Sequence, residues 1–170
     1  MNKLSHLTTW DLMRMRHGVT LRLLEQIPAD RLTSHPIAGM RTPVELVVHL
    51  YAGTRQFAES VRTGVLADFD EAAAVAAIKT PKQLLAFVTD AWAAADREAR
   101  KQTDAQLGGT VKASWGAFPG SKMYEFLHDE YLHHRGQLYA FVRTYGIEPV
   151  SLWDFDHNAE EFRPGATATA

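Results

Sequence analysis

Residues 121–145 read SKMYEFLHDEYLHHRGQLYAFVRTY, a run without proline and with one glycine, Gly136. Met123, Leu127, Glu130, His134, Gln137, Phe141 and Tyr145 recur at spacings of three and four, so they fall on one stripe of a helix. The spacing predicts a helix that Ser121 caps and that runs to Tyr145, with Gly146 as its stop and Pro149 beyond. The ends of the stripe are apolar and its middle is not. Glu130 and His134 are an i, i+4 pair that can point at one object beside the helix, and Gln137 lies one turn further on. A buried carboxylate, imidazole and amide are costly unless each finds a partner.

Working outward, the segment Thr42-Pro43-Val44-Glu45 carries a helix-start signal: a Thr cap, Pro at the first helical position and Glu three residues after the cap. The helix it opens should run to about Arg62 and stop near Gly64. Its apolar stripe is Leu46, His49, Leu50, Gly53 and Phe57, so His49 occupies a position where a core residue belongs. Ser5 to Ile27 shows the same three- and four-residue spacing and predicts a helix ended by Pro28. Thr80, Pro81 and Gln83 open another, which Leu84, Phe87, Val88, Ala91, Trp92 and Ala95 carry to near Gln102. Residues 65–80 read as a connector with room for a short helix. Leu107–Gly120, with its glycines and proline, reads as a long loop in which Val111–Trp115 can be extended. Four helices of similar length and no full strand predict an all-α fold, a four-helix bundle with long interhelical connections. Residues 1–153 are expected to form one helical domain. Residues 154–170, ending in Gly165-Ala-Thr-Ala-Thr-Ala, are expected to be a tail whose last residues are disordered.

The chain has 170 residues, 46% of them hydrophobic and 22% charged, enough for one domain with a real core and against a disordered or fibrous chain. Eighteen Lys and Arg against twenty Asp and Glu leave a net charge of -2, and there is no long basic block, which argues against nucleic acid and anionic membrane as partners. With no cysteine, disulfides, thiolate metal sites and a cysteine nucleophile are excluded, so any metal must sit on His and carboxylates. The first residues, through Arg16, are interrupted by Lys3, His6, Asp11 and Arg14 and lack the apolar centre of a secretory signal; the expected location is cytoplasmic.

If the second and last long helices face each other, His49, Glu130 and His134 converge. Two imidazoles and a carboxylate are the ligand set of catalytic zinc sites and of many Ni(II) and Fe(II) sites, which keep positions open for water and substrate. Spacing alone also permits simpler roles. Glu130 and His134 serve equally as a helix-surface ion pair, and His49 by itself reads as a core histidine with a satisfied hydrogen bond. His133 is the substitute ligand if the wheel is rotated, and Gln137 or His133 could support a ligand from behind. His128 and Asp129 lie off the stripe, and His6 and His17 have no visible partner. Arg135 and Arg143 could meet an anionic substrate, though each serves more simply as a surface or interhelical salt-bridge residue. Trp10, Trp92, Phe126 and Tyr131 read as core or interface aromatics.

The stretch Glu130-Tyr-Leu-His-His134-Arg135-Gly136-Gln137, followed by Arg143, Gly146 and Pro149, resembles the last-helix signature H-x-x-x-H-R-G-Q of the DinB/YfiT-like superfamily. Thr42–Leu50, with His49, is similar to that family's second-helix start. The resemblance implies a four-helix bundle, often a homodimer, holding a divalent metal such as Zn or Ni on three side chains of its second and fourth helices. It places His49 and His134 at two ligand positions, with Glu130 standing where the family usually has its first His. A carboxylate there hardens the site's preference toward Fe, Mn, Ni or Zn. The resemblance further implies a small-molecule substrate and, for some members, transfer chemistry that uses a low-molecular-weight thiol.

Overall fold

Each long helix but the last starts where a side chain can take up a free backbone N–H. In the computed structural model, which describes residues 2–166, Asn2 accepts from the Ser5 N–H and opens α1 (Lys3–Glu25). Thr42 and Glu45 form the reciprocal pair of bonds that opens α2 (Pro43–Thr63), with Pro43 in the first turn. Asp70 caps the short α3 (Glu71–Ala77), and Thr80 caps α4 (Pro81–Lys101). The expected long loop is more ordered than the sequence suggested. It holds a one-turn α5 (Asp104–Gly108) and an antiparallel hairpin of β1 (Thr110–Ala113) and β2 (Gly116–Pro119).

The hairpin also sets where α6 (Gly120–Thr144) begins. Ser121 does not cap it: the cap position falls to Pro119, which has no side chain to offer, and the Gly120 N–H instead donates to the Gly109 carbonyl at 2.8 Å. A Cβ at Gly120 would stand 2.4 Å from the Gln106 carbonyl oxygen, so only glycine lets the strand enter the helix this closely.

The four long helices form a ring in which α2 packs against α4 and α6, and α1 packs against the same two from the other side. The diagonal pair, α1 and α2, meets through polar groups at the centre. The fully buried His17 Nδ1 lies 2.8 Å from the Tyr51 hydroxyl, its ring stacks on Trp92 at 4.2 Å, and Tyr131 donates to Thr20 Oγ1 at 2.8 Å. His6, also buried, reaches the Ala99 carbonyl at 2.9 Å. Trp10, Trp92 and Tyr131 belong to the core, as their sequence positions predict, and Phe126 packs against it. Among the described residues no helix is long and apolar enough to cross a membrane.

The boundary expected at residue 153 is corrected. Asn158 is buried and donates to the Met15 and Phe162 carbonyls, Arg14 donates to the carbonyls of Glu161 and Arg163, and Phe162 sets its ring edge-on to His17. A Cβ on Gly18 would come within 2.6 Å of both Asn158 and Phe162, so α1 has a glycine where this segment crosses it. Residues 154–166 are thus part of the helical domain; the final residues, for which disorder was expected, lie outside those described beyond residue 166.

Burial pushes the His17 imidazole down to about 3, so the folded protein keeps it neutral while the unfolded chain protonates it below about 6.5. Its contribution is complete above about pH 6.5 and is lost as the pH falls toward about 3, at up to about 1.4 kcal/mol per pH unit. Urea denaturation followed by circular dichroism should show a steeper loss of stability between about pH 6.5 and pH 5 in the native protein than in His17→Phe. Parallel slopes would show that His17 titrates normally in the folded state.

Candidate metal centre

α2 and α6 pack side by side, and this contact brings His49 to the pair on α6. Ligand atoms of His49, Glu130 and His134 all lie within 4.8 Å of one another. His134 Nε2 is 2.9 Å from Glu130 Oε2, His49 Nε2 is 3.9 Å from the same oxygen, and the two imidazole rings stand edge to face at 4.8 Å between centroids. The His134 side chain is 11% exposed, His49 30% and Glu130 52%, so the group is closed on the His134 side and open to solvent at the carboxylate.

What faces inward is decided by what each ring binds behind it. His49 Nδ1 is 2.6 Å from Glu71 Oε1, and Glu71 Oε2 accepts from Arg41 at 3.0 Å. Burial alone would raise the Glu71 carboxyl, but the bonds from His49 and Arg41 outweigh it and hold it below its ordinary value. An ionised Glu71 can only accept, so His49 carries its proton on Nδ1 and turns the Nε2 lone pair toward Glu130. His134 is held in the same way. Gln137 donates through Nε2 to His133 Nε2 at 3.0 Å, which leaves its Oε1 to accept from His134 Nδ1–H at 3.0 Å. Burial also pulls His134 below the usual histidine range, against the opposing Gln137 bond, and so favours its neutral form.

With each ring's Nδ1 proton held outward, two imidazole nitrogens and a carboxylate oxygen converge, and the 2.9 Å between His134 Nε2 and Glu130 Oε2 is hydrogen-bond distance, filled by one shared proton until a cation takes its place. Such a group repels itself unless a cation or a proton sits between its members, and burial of His134 works against the proton. The donor set of two imidazole nitrogens and one carboxylate suits a borderline divalent ion. Ligands of one zinc ion stand roughly 3.4 Å apart at bond lengths near 2.1 Å, so a separation of 4.8 Å must close by about 1.4 Å. The part-exposed His49 and Glu130 side chains have that freedom.

The trio lies on the wall of a cavity of about 770 Å³. α2 contributes Leu50, Gly53 and Phe57, and α6 contributes Phe126, Leu127 and Asp129. The far wall comes from the connections. The chain after α2 joins β1 through the Leu66 N–H to the Lys112 carbonyl and through the Lys112 N–H to the Gly64 carbonyl, and Gln56 ties down the Ala67 carbonyl. That segment places Leu66, Asp68 and Phe69 on the cavity, beside Ser114 and Trp115 at the hairpin tip.

The structure brings together the three residues that the stripes single out, with Gln137 behind His134. His133 is exposed, sets its ring edge-on to His134 and bonds Gln137, so it lies behind the trio and takes no ligand position in this arrangement. His128 lies 2.6 Å from Arg16 on the α1 side. Neither arginine reaches the cavity: Arg135 is buried and donates to the Leu152 carbonyl at 3.0 Å, and Arg143 lies over the Tyr139 ring. Sequence reasoning missed Glu71 and Arg41. The one signal for Glu71 was its place after the capping Asp70, in a segment with no apolar period to orient it.

A model of the DinB superfamily matches residues 12–138. The chain belongs to the DinB superfamily. A crystal structure of a DinB-like protein, YjoA from Bacillus subtilis, is similar to it at a TM-score of 0.62 and 21% identity, over 77% of this chain and 86% of that one, and supports the all-α fold. No curated protein matches the chain. Glu130, the position at which the last helix departs from the signature it resembles, lies within the group.

Glu71→Ala should weaken Zn(II) binding about 10- to 100-fold, because His49 loses the partner that fixes its tautomer, while the helical circular dichroism is kept. Competition titration with a colorimetric chelator reads the change. Unaltered affinity would mean that His49 is oriented by something other than Glu71.

Proposed function

We propose that this DinB-superfamily protein is a metal-dependent enzyme in which His49, Glu130 and His134 hold one divalent ion, Zn or Ni first and Fe or Mn next, beside a pocket for a small-molecule substrate. The observation that carries this reading is the convergence of three electron-pair donors, each imidazole turned by a hydrogen bond on its other nitrogen, on the wall of a cavity open to solvent. Bound there, the ion would act as a Lewis acid that lowers the pKa of a thiol or a water and so supplies a nucleophile for transfer or hydrolysis.

The chain's own residues do the rest. Glu71 and Gln137 each hold the Nδ1–H of one imidazole and so aim its Nε2 at the ion's place. Glu130 closes the set from the solvent side and lowers the charge of a bound divalent ion by one. Leu127, Phe57 and Leu66 give the reacting group an apolar wall, which strengthens any electrostatic contact made inside. Three ligands from the protein leave room for a further one, as in catalytic rather than structural zinc sites. A homodimer in the cytoplasm belongs to the same reading, supported by the family resemblance and by the exposed Leu152 and Trp153 after α6.

Protein purified without a histidine tag should carry about one equivalent of divalent metal, and His49→Ala should lose nearly all of it while staying helical. Mass-spectrometric metal analysis with circular dichroism reads both. Chelation should scarcely move the melting temperature, since the core is complete without the ion. Metal-free protein that takes up no added Zn, Ni, Fe or Mn would leave the trio a structural polar network and end the enzymatic reading.

A further inference from the structure

Two carboxylates on the cavity wall have no part in holding an ion. Asp68, on the segment after α2, and Asp129, beside Glu130 on α6, both line the cavity and have no side-chain partner within bonding distance among the described residues. With Glu71 and Glu130 they make four carboxylates around one pocket, and no Lys or Arg lines it. Arg41 offsets Glu71 from outside, and a divalent ion would offset two charges more. The rim of the pocket stays negative even when loaded. Asp68, Asp129 and Glu130 are solvent-exposed, so they act as a negatively charged rim that repels anions and gathers cations, most strongly at low salt.

The remaining lining is aromatic where it meets solvent. Phe69 is 40% exposed and Trp115 57%, on two separate connections that both border the cavity. Large aromatic rings left at a pocket's mouth, rather than folded into the core, offer faces to a cation or a planar ligand. The arginines that could have met an anion are both directed elsewhere.

We infer that the pocket selects a substrate carrying an ammonium or similar cationic group on an apolar body of aromatic size, and discriminates against carboxylates and phosphates of the same shape. Among thiols it favours a neutral or amine-bearing one over one that carries carboxylates. The inference rests on the reading of this cavity as the place where a substrate meets the His49–Glu130–His134 group. It adds Asp68 and Asp129 as the residues that set charge preference, with Trp115 and Phe69 as the stacking faces.

Isothermal titration of the full chain at low salt with phenethylamine, phenethyl alcohol and phenylpropanoate tests it. The amine should bind at least about tenfold more tightly than the carboxylate, with the gap shrinking as salt rises. The Asp68→Asn/Asp129→Asn variant should close the gap to within about threefold, each single variant closing part of it. Equal or tighter binding of the carboxylate, no measurable binding of the amine, or a gap unchanged in the double variant overturns the inference. Running the series on Zn-loaded and chelator-treated protein, with Zn uptake read separately, tells the two failures apart. A gap without Zn uptake removes the metal reading alone, and Zn uptake without a gap removes the charge preference alone.

Discussion

Three ligand atoms with at most one proton to share between them, His49 Nε2, His134 Nε2 and a Glu130 carboxylate oxygen, are pressed together by the packing of α2 on α6. This arrangement is unfavourable in itself, and its persistence depends on two bonds made on the far side of the rings. Glu71 accepts from the Nδ1–H of His49 at 2.6 Å and Gln137 from that of His134 at 3.0 Å, so flipping either ring breaks a hydrogen bond. Breaking such a bond at a part-buried site leaves an unpaired polar group, at a cost of about 1–3 kcal/mol. The self-repulsion of the inner face is therefore held in place from outside.

The bundle supplies the frame for this and the connections supply the pocket. Adjacent α2 and α6 give the trio and one wall, while the diagonal between α1 and α2 is closed by the buried contact of His17 with Tyr51 and Trp92. The opposite wall is made by chain that a plain up-and-down bundle would not have. The segment after α2 is bridged to β1, and the hairpin turn sets Trp115 beside it on the cavity. The length of these connections is thus what turns a metal-ligand group on a helix surface into a cavity with a charge and an aromatic rim.

The helices were legible because their starts and faces are local. The Thr42–Glu45 box and the Thr80 cap fix two helix ends within three residues, and the stripes through His49 and through Glu130 and His134 need only the helical period. The misses are all long-range. Glu71 lies 22 residues from His49, and nothing local says that α3 folds back onto α2. The true start of α6 depends on the Gly120 N–H meeting Gly109 across the hairpin, so Ser121 was a plausible cap with the helix already begun. Residues 154–166 look like tail because Asn158 and Phe162 are lone buried positions with no period, and only Gly18 on α1 records their crossing.

The central claim concerns the protonation pattern of two rings, which long-range proton–nitrogen NMR on histidine-labelled protein reads directly. His49 and His134 should both appear as Nδ1–H tautomers at neutral pH, and one equivalent of Zn(II) should shift Nε2 of both rings and spare His133, His128 and His17. Nε2–H tautomers in the metal-free protein, or a zinc-induced shift at Nδ1 or at His133 instead, would contradict it.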